Sequence, residues 1–253
     1  MKNKRLVSAL VSFSLLAVLC GCQKPSGNLQ ILNVGPVTPA TRPLPAAAYG
    51  LLTPGTTRYI NLENRSAAPL VITIAESTLF GGTISRTLNE QRVEYLGTCR
   101  QGNIVMYASS DVERQTTTLF PTPLIMASAA LPPLQPSLQE VPATLVKTKD
   151  IDHVQAHGIG RRTAMYEGSC VLQTSKGPIT TQKVYTDFKA DLSVAQARYT
   201  GLIFTYDEPQ PGIVALVLGE QLRVFGITIR SGRGIYLRED LLLPEVSSPS
   251  TPK

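Results

Sequence analysis

The sequence predicts an all-β, mostly antiparallel domain over residues 57–243. Three observations carry that reading: apolar and polar side chains alternate with a period of two in run after run, glycine-rich and polar clusters punctuate the runs, and the connections are mostly too short for crossover helices. Successive strands joined by short turns pair antiparallel as a meander.

Taken in order, Tyr59-Ile60-Asn61-Leu62-Glu63 alternates, and residues 70–75 are rich in β-branched side chains that favour a pleated sheet. The strand signal continues at 104–108, 162–172, 179–188, 197–206, 213–218, 222–229 and 234–238. Between them stand Gly81-Gly82, Gln101-Gly102-Asn103, Ser175-Lys176-Gly177-Pro178 and Ser231-Gly232-Arg233-Gly234. These are turn chemistry, since glycine tolerates positive φ and proline presets φ near about −65°. Only residues 189–197 read as a minor helical element.

Two stretches depart from a sheet with one wet face. Residues 213–218, Ile-Val-Ala-Leu-Val-Leu, are apolar without alternation, which requires cover on both faces. Val214, Leu216 and Leu218 are therefore the expected lining of an apolar ligand cleft. Residues 119–142 combine six prolines (Pro121, Pro123, Pro132, Pro133, Pro136 and Pro142) with Leu124, Ile125, Met126, Leu131, Leu134 and Leu138. Proline at that density argues against both helix and central strand, so the segment is expected to be an irregular apolar cover, either closing one end of the sheet or acting as a lid.

The ends of the chain read differently. Residues 22–56 are rich in proline and poor in periodicity, which predicts an extended tether, and residues 244–253 predict a flexible tail. Lys2, Lys4 and Arg5 form a positive n-region ahead of the uncharged residues 6–19, a run too short to span a bilayer comfortably and of the right length for a signal peptide. It ends in Leu19-Cys20-Gly21-Cys22, which resembles the lipobox of bacterial lipoproteins. The resemblance implies cleavage after residue 21, lipid on Cys22 and lasting attachment to a membrane. With Gln23 and Lys24 following rather than Asp, it also implies an outer-membrane address facing the periplasm.

Composition excludes several classes. The chain has 24 basic and 18 acidic residues, and without Lys2, Lys4 and Arg5 the excess falls to about three positive charges, which is no nucleic-acid footprint. No nucleophile elbow, Walker loop or Cys-x-x-Cys is present. His153 and His157 in Asp150-Ile-Asp-His-Val-Gln-Ala-His-Gly lack the acid of a zincin helix, and the following Gly158-Ile-Gly160 reads as a surface turn. No enzyme, metal or cofactor is expected. Cys99 and Cys170 form an even pair in an exported chain, which predicts a disulfide.

The β-meander, the doubly apolar strand at 213–218 and the proline-rich apolar cover together resemble the LolA/LolB-type half-barrel lipoprotein carriers. That resemblance implies a curved, open half-barrel around an acyl-chain cleft, with a β-sandwich as the alternative architecture. The expected function is a non-enzymatic, lipid-anchored envelope protein that binds a lipid or other hydrophobic ligand. The alternative is a structural or assembly lipoprotein acting through another envelope protein.

Overall fold

The computed structural model describes residues 29–51, 53–77, 81–88, 91–206 and 211–242. After a two-residue strand β1 (Thr38–Pro39) come β2 (Gly55–Asn61), β3 (Leu70–Ser77), β4 (Gly81–Leu88), β5 (Gln91–Arg100), β6 (Asn103–Asp111) and β7 (Thr116–Ala127). They are followed by β8 (Ser137–Lys147), β9 (Asp150–Thr174), β10 (Gly177–Leu192), β11 (Ala195–Tyr206), β12 (Gly212–Val224) and β13 (Ile227–Arg238). From β2 onward each strand pairs antiparallel with the next, and β13 returns to β2 through Tyr236 opposite Asn61, Leu237 opposite Ile60 and Arg238 opposite Tyr59. The architecture is a closed 12-stranded antiparallel barrel. The expected open half-barrel is overturned by that last pairing, and so is the sandwich: closure leaves the meander no free edge strand to splay or fold over. β1 lies outside the ring, paired with Ser169 and Gly168 of β9.

Alternation sorts the wall into two faces. On β3 to β7, Ile72, Ile84, Tyr95, Met106 and Leu124 point into the lumen. The outward set runs Thr56, Thr73, Ser85, Glu94, Ser110 and Thr117, each directly opposite the next across β2 to β7. Further round, the outer wall carries the ion pairs Arg161–Glu140 at 2.6 Å, Arg198–Asp187 at 2.7 Å and Lys189–Asp191 at 2.7 Å. The row from Thr56 to Thr117 is polar where the lumen is apolar; elsewhere the outward phase is mixed, with Leu96, Ala108 and Leu119 opposite one another across β5 to β7 and Leu138 and Ile159 exposed on β8 and β9.

β12 needs cover on both faces and has it. A bulge where β11 shifts register between Phe204 and Thr205 leaves Val214 without a partner on β11. Val214, Ala215 and Val217 then join an outer cluster with Leu32, Leu172, Leu202, Ile235 and Leu241. Ile213 and Leu216 join Tyr59, Leu70 and Tyr236 on the inner side. The outer cover therefore comes from the N-terminal segment, the far half of the β9–β10 hairpin and the C-terminal turn, not from residues 119–142.

Four local expectations change. Residues 119–142 contribute to β7 and β8. Pro121 and Pro123 sit between the stretch of β7 paired with β8, which ends at Leu119, and the stretch paired with β6, which resumes at Leu124, so no ladder N–H is lost there. Where β7 and β8 part, the Gln139 side chain replaces the ladder, accepting from the Ile125 N–H at 2.7 Å and donating to the Pro123 carbonyl at 3.0 Å. The helix expected at 189–197 is instead the end of β10, a turn and the start of β11. Gly158 and Gly160 mark no turn, and neither do residues 231–234, which pair with β12 in the middle of β13; Gly158 and Gly160 lie mid-strand in β9, where a Cβ on Gly160 would come within 2.8 Å of the Phe120 ring. The tether expected at 22–56 is, from Leu29 on, part of the fold: Leu44, Ala46, Ala48 and Tyr49 are buried against Ala164, Tyr166 and Val184 inside one end of the barrel. We call that end the floor. The opposite end, ringed by the β6–β7, β8–β9, β10–β11 and β12–β13 hairpin tips, is the mouth.

Candidate functional site

The lumen holds two chambers in line. The inner one, about 200 Å³, is walled by Ile72, Ile84, Met106, Leu124, Ile203 and Leu218 from six different strands, with Tyr49 and Leu51 of the N-terminal segment at its floor. The outer one is a vestibule of about 620 Å³ toward the mouth, lined by Val93, Phe120, Leu145, Leu192 and Val224 together with polar groups such as Ser109, Thr118 and His153. Phe188 and Tyr199 belong to both. Their rings stack at 6.0 Å, and Phe120 meets Phe188 edge-on at 6.2 Å. An aromatic layer therefore divides an apolar interior from a wetter antechamber.

Among the described residues lining the inner chamber, one side chain is cationic, Arg162 of β9. It is opposite Gln139 on β8 and Phe188 on β10, and is only 7 % exposed. Its place follows from parity: Arg162 shares the inward phase of Ala164 and Tyr166. Among the described residues the guanidinium has no hydrogen bond or ion pair; its electrostatic neighbour is Tyr49, and burial lowers its pKa. Tyr49 is 4 % exposed and its hydroxyl has no hydrogen-bond partner among the described residues. Burial pushes the Tyr49 phenol up to about 12, with Arg162 pulling weakly the other way.

The mouth is organised differently. Asp111 at the end of β6 pairs with Arg230 of β13 at 3.2 Å and with Arg114 at 3.5 Å, so the vestibule acid is satisfied. Around it the hairpin tips present apolar side chains to solvent, with Phe225 78 % and Ile227 68 % exposed.

Cys22 and the whole leader lie outside the described residues. Cys99 is an exposed free thiol on β5 and Cys170 a buried free thiol on β9, so the expected bridge is not formed in this structure. Of the three residues expected to line a cleft, Leu218 lines the inner chamber and Leu216 packs in the lumen nearer the floor, whereas the bulge sends Val214 to the outer cluster. His153 borders the vestibule and His157 is exposed, 3.4 Å from the Thr144 hydroxyl. Sequence reasoning passed over Arg162, Tyr49, Phe188 and Tyr199. Arg162 carried a signal, a charge in phase with apolar neighbours of an alternating strand; Tyr49 carried none, because nothing local places a proline-flanked tyrosine inside a barrel.

Comparison with family models, curated proteins and solved structures returned no match for the chain.

Proposed function

We propose that this protein is a non-enzymatic, lipid-anchored component of a bacterial cell envelope that carries a lipid or other hydrophobic ligand in its barrel lumen. The observation that supports it best is the apolar lumen: Ile72, Ile84, Met106, Leu124, Ile203 and Leu218 enclose an apolar chamber, while one continuous outward row from Thr56 to Thr117 is polar. The two chambers together fall within the range of about 300–1,000 Å³ typical of small-molecule sites. A wall of this kind suits an aqueous compartment, so we place the barrel in the periplasm, held at the outer membrane through lipid on Cys22. Six residues separate Cys22 from Leu29, a reach of at most about 25 Å, which would set the floor close to the bilayer and turn the mouth away from it.

The exposed Phe225 and Ile227 at the mouth favour a second role, contact with another envelope protein that hands over or receives the ligand. The test is native mass spectrometry of protein extracted without added lipid, with thermal unfolding in the presence and absence of palmitate. Co-purified lipid and a ligand-dependent rise in Tm support the carrier; an unliganded barrel indifferent to every acyl compound leaves the assembly role. Replacing Cys22 by Ala and fractionating cells labelled with an acyl analogue tests the anchor: retained label and membrane association would overturn it.

A further inference from the structure

We infer that the lumen takes a single-chain anionic amphiphile head first, with Arg162 and Tyr49 holding its acid group in the inner chamber and its tail passing the Phe188–Tyr199 layer into the vestibule. This rests on the lumen being a ligand site.

The described lining of the inner chamber is unbalanced in charge. Arg162 is 7 % exposed, lies in the lining of the inner chamber, and has no acidic partner among the described residues. A guanidinium cannot shed its proton to relieve burial, as a lysine or histidine would. A buried cation without a counter-ion is costly, so an anion delivered to it is bound with more than its own hydrogen bonds. Asp111 and Arg230 show the contrast, since at the mouth acid and base are paired at 3.2 Å. Beside Arg162 stands the Tyr49 hydroxyl, also buried and, among the described residues, without a hydrogen-bond partner. A phenol that holds its proton to about 12 is a donor at any physiological pH. One cation and one neutral donor facing the same small space fit a carboxylate or phosphate monoester, whereas a neutral head group accepts hydrogen bonds but leaves the buried charge uncompensated.

The rest of the lining sets the remainder of the ligand. Ile72, Ile84, Met106, Leu124, Ile203 and Leu218 offer only apolar contact. At about 200 Å³ the inner chamber holds the volume of roughly seven waters, enough for a head group and a few methylenes. The remaining chain must continue into the 620 Å³ vestibule, whose apolar side runs over Phe120, Leu145 and Leu192.

Equilibrium dialysis of the delipidated full chain against radiolabelled palmitate, hexadecyl phosphate and hexadecanol tests this, with acetate and inorganic phosphate as competitors and phosphatidylglycerol vesicles as a two-chain source of the same charge. A charge-assisted head-group contact predicts about ten- to hundred-fold tighter binding of palmitate or hexadecyl phosphate than of hexadecanol. R162M should bring the acids down to the hexadecanol level while hexadecanol binding, which reports the intact lumen, is unchanged; R162Q serves if R162M fails to fold. Y49F should weaken the acids by a smaller factor. Equal affinity for acid and alcohol overturns the head-group assignment and leaves the lumen reading standing. Binding of none of the three amphiphiles overturns both, and displacement of palmitate by acetate or phosphate alone at similar concentration shows an anion site with no amphiphile. Loading from vesicles in preference to dispersed palmitate overturns the single-chain restriction.

Discussion

Phe188 and Tyr199 lie directly opposite each other on β10 and β11, their rings 6.0 Å apart and 20° from parallel, at the one level where the inner chamber and the vestibule share a wall. Any ligand that moves between the two chambers passes these rings. Replacing Phe188 by Ala removes the ring that both Phe120 and Tyr199 touch and merges the two spaces. Ligand release should quicken by about an order of magnitude with a smaller change in affinity, because the mutation lowers a barrier more than it changes the bound state. Stopped-flow displacement of a fluorescent fatty acid measures this. Unchanged release with a filled inner chamber would show that the layer is not on the ligand's path.

Gly158 and Gly160 separate backbone from side-chain constraint within one strand. A Cβ on Gly158 would sit 1.9 Å from the Asp191 carbonyl oxygen, which β10 cannot move without breaking its ladder with β9, whereas at Gly160 the obstacle is the Phe120 ring at 2.8 Å. Gly158→Ala should therefore destabilise by about 3 kcal/mol or more and Gly160→Ala by about 1 to 2 kcal/mol, a range typical of overpacking that a side chain can absorb. Urea unfolding of the two variants ranks them; the reverse order would mean that the β9–β10 pairing gives way more easily than the aromatic layer.

The two thiols differ in access. Cys99 is exposed, while Cys170 is buried and burial raises its pKa, with the Thr181 hydroxyl opposing. Since the thiolate is the reactive form, iodoacetamide should modify Cys99 in the folded protein and reach Cys170 only on unfolding. Peptide mapping after timed alkylation settles it, and recovery of a Cys99–Cys170 disulfide from oxidised, native material would contradict the geometry.

Two buried phenols set an alkaline limit. Burial raises Tyr49 from 10.0 to about 12, and raises Tyr59, whose hydroxyl donates to the Ile213 carbonyl at 3.2 Å, further still. Above pH 10 the unfolded chain releases these protons while the folded chain keeps them, so stability falls as the pH rises from about 10 toward 12. For Tyr49 alone the loss approaches about 3 kcal/mol over that interval. Unfolding free energies at pH 8, 10, 11 and 12 test the slope; in Tyr49→Phe the decline should be shallower by roughly that amount.

Most period-two runs, the turns at 101–102 and 175–176 and the antiparallel order were legible because each depends on residues a few positions apart, whereas the glycine cluster at 231–234 lies inside β13 and the turn falls at Phe225-Gly226. So was the requirement that β12 be covered on both faces, since Ile213-Val214-Ala215-Leu216-Val217-Leu218 states it outright. What covers β12 was not legible: Leu32 and Leu241 come from opposite ends of the chain, and no local pattern couples them to Val217. Closure was equally hidden, resting on three residue pairs between β13 and β2 that lie some 175 positions apart. The prolines of β7 and β8 misled because local propensity assumes a complete ladder, and the gap spanned by Gln139 removes that demand.

The candidate site divides in the same way. By itself the sequence determined an alternating strand with Arg162 on the phase of Ala164 and Tyr166, and apolar residues enough to line one face of every strand around it. Only the tertiary structure decided that this face is the inside of a ring and that Tyr49 rises into the same space from the floor. Side-chain parity is set by neighbouring bonds, but enclosure is a property of a closed surface, and it exists only when the first and last strands of the ring meet.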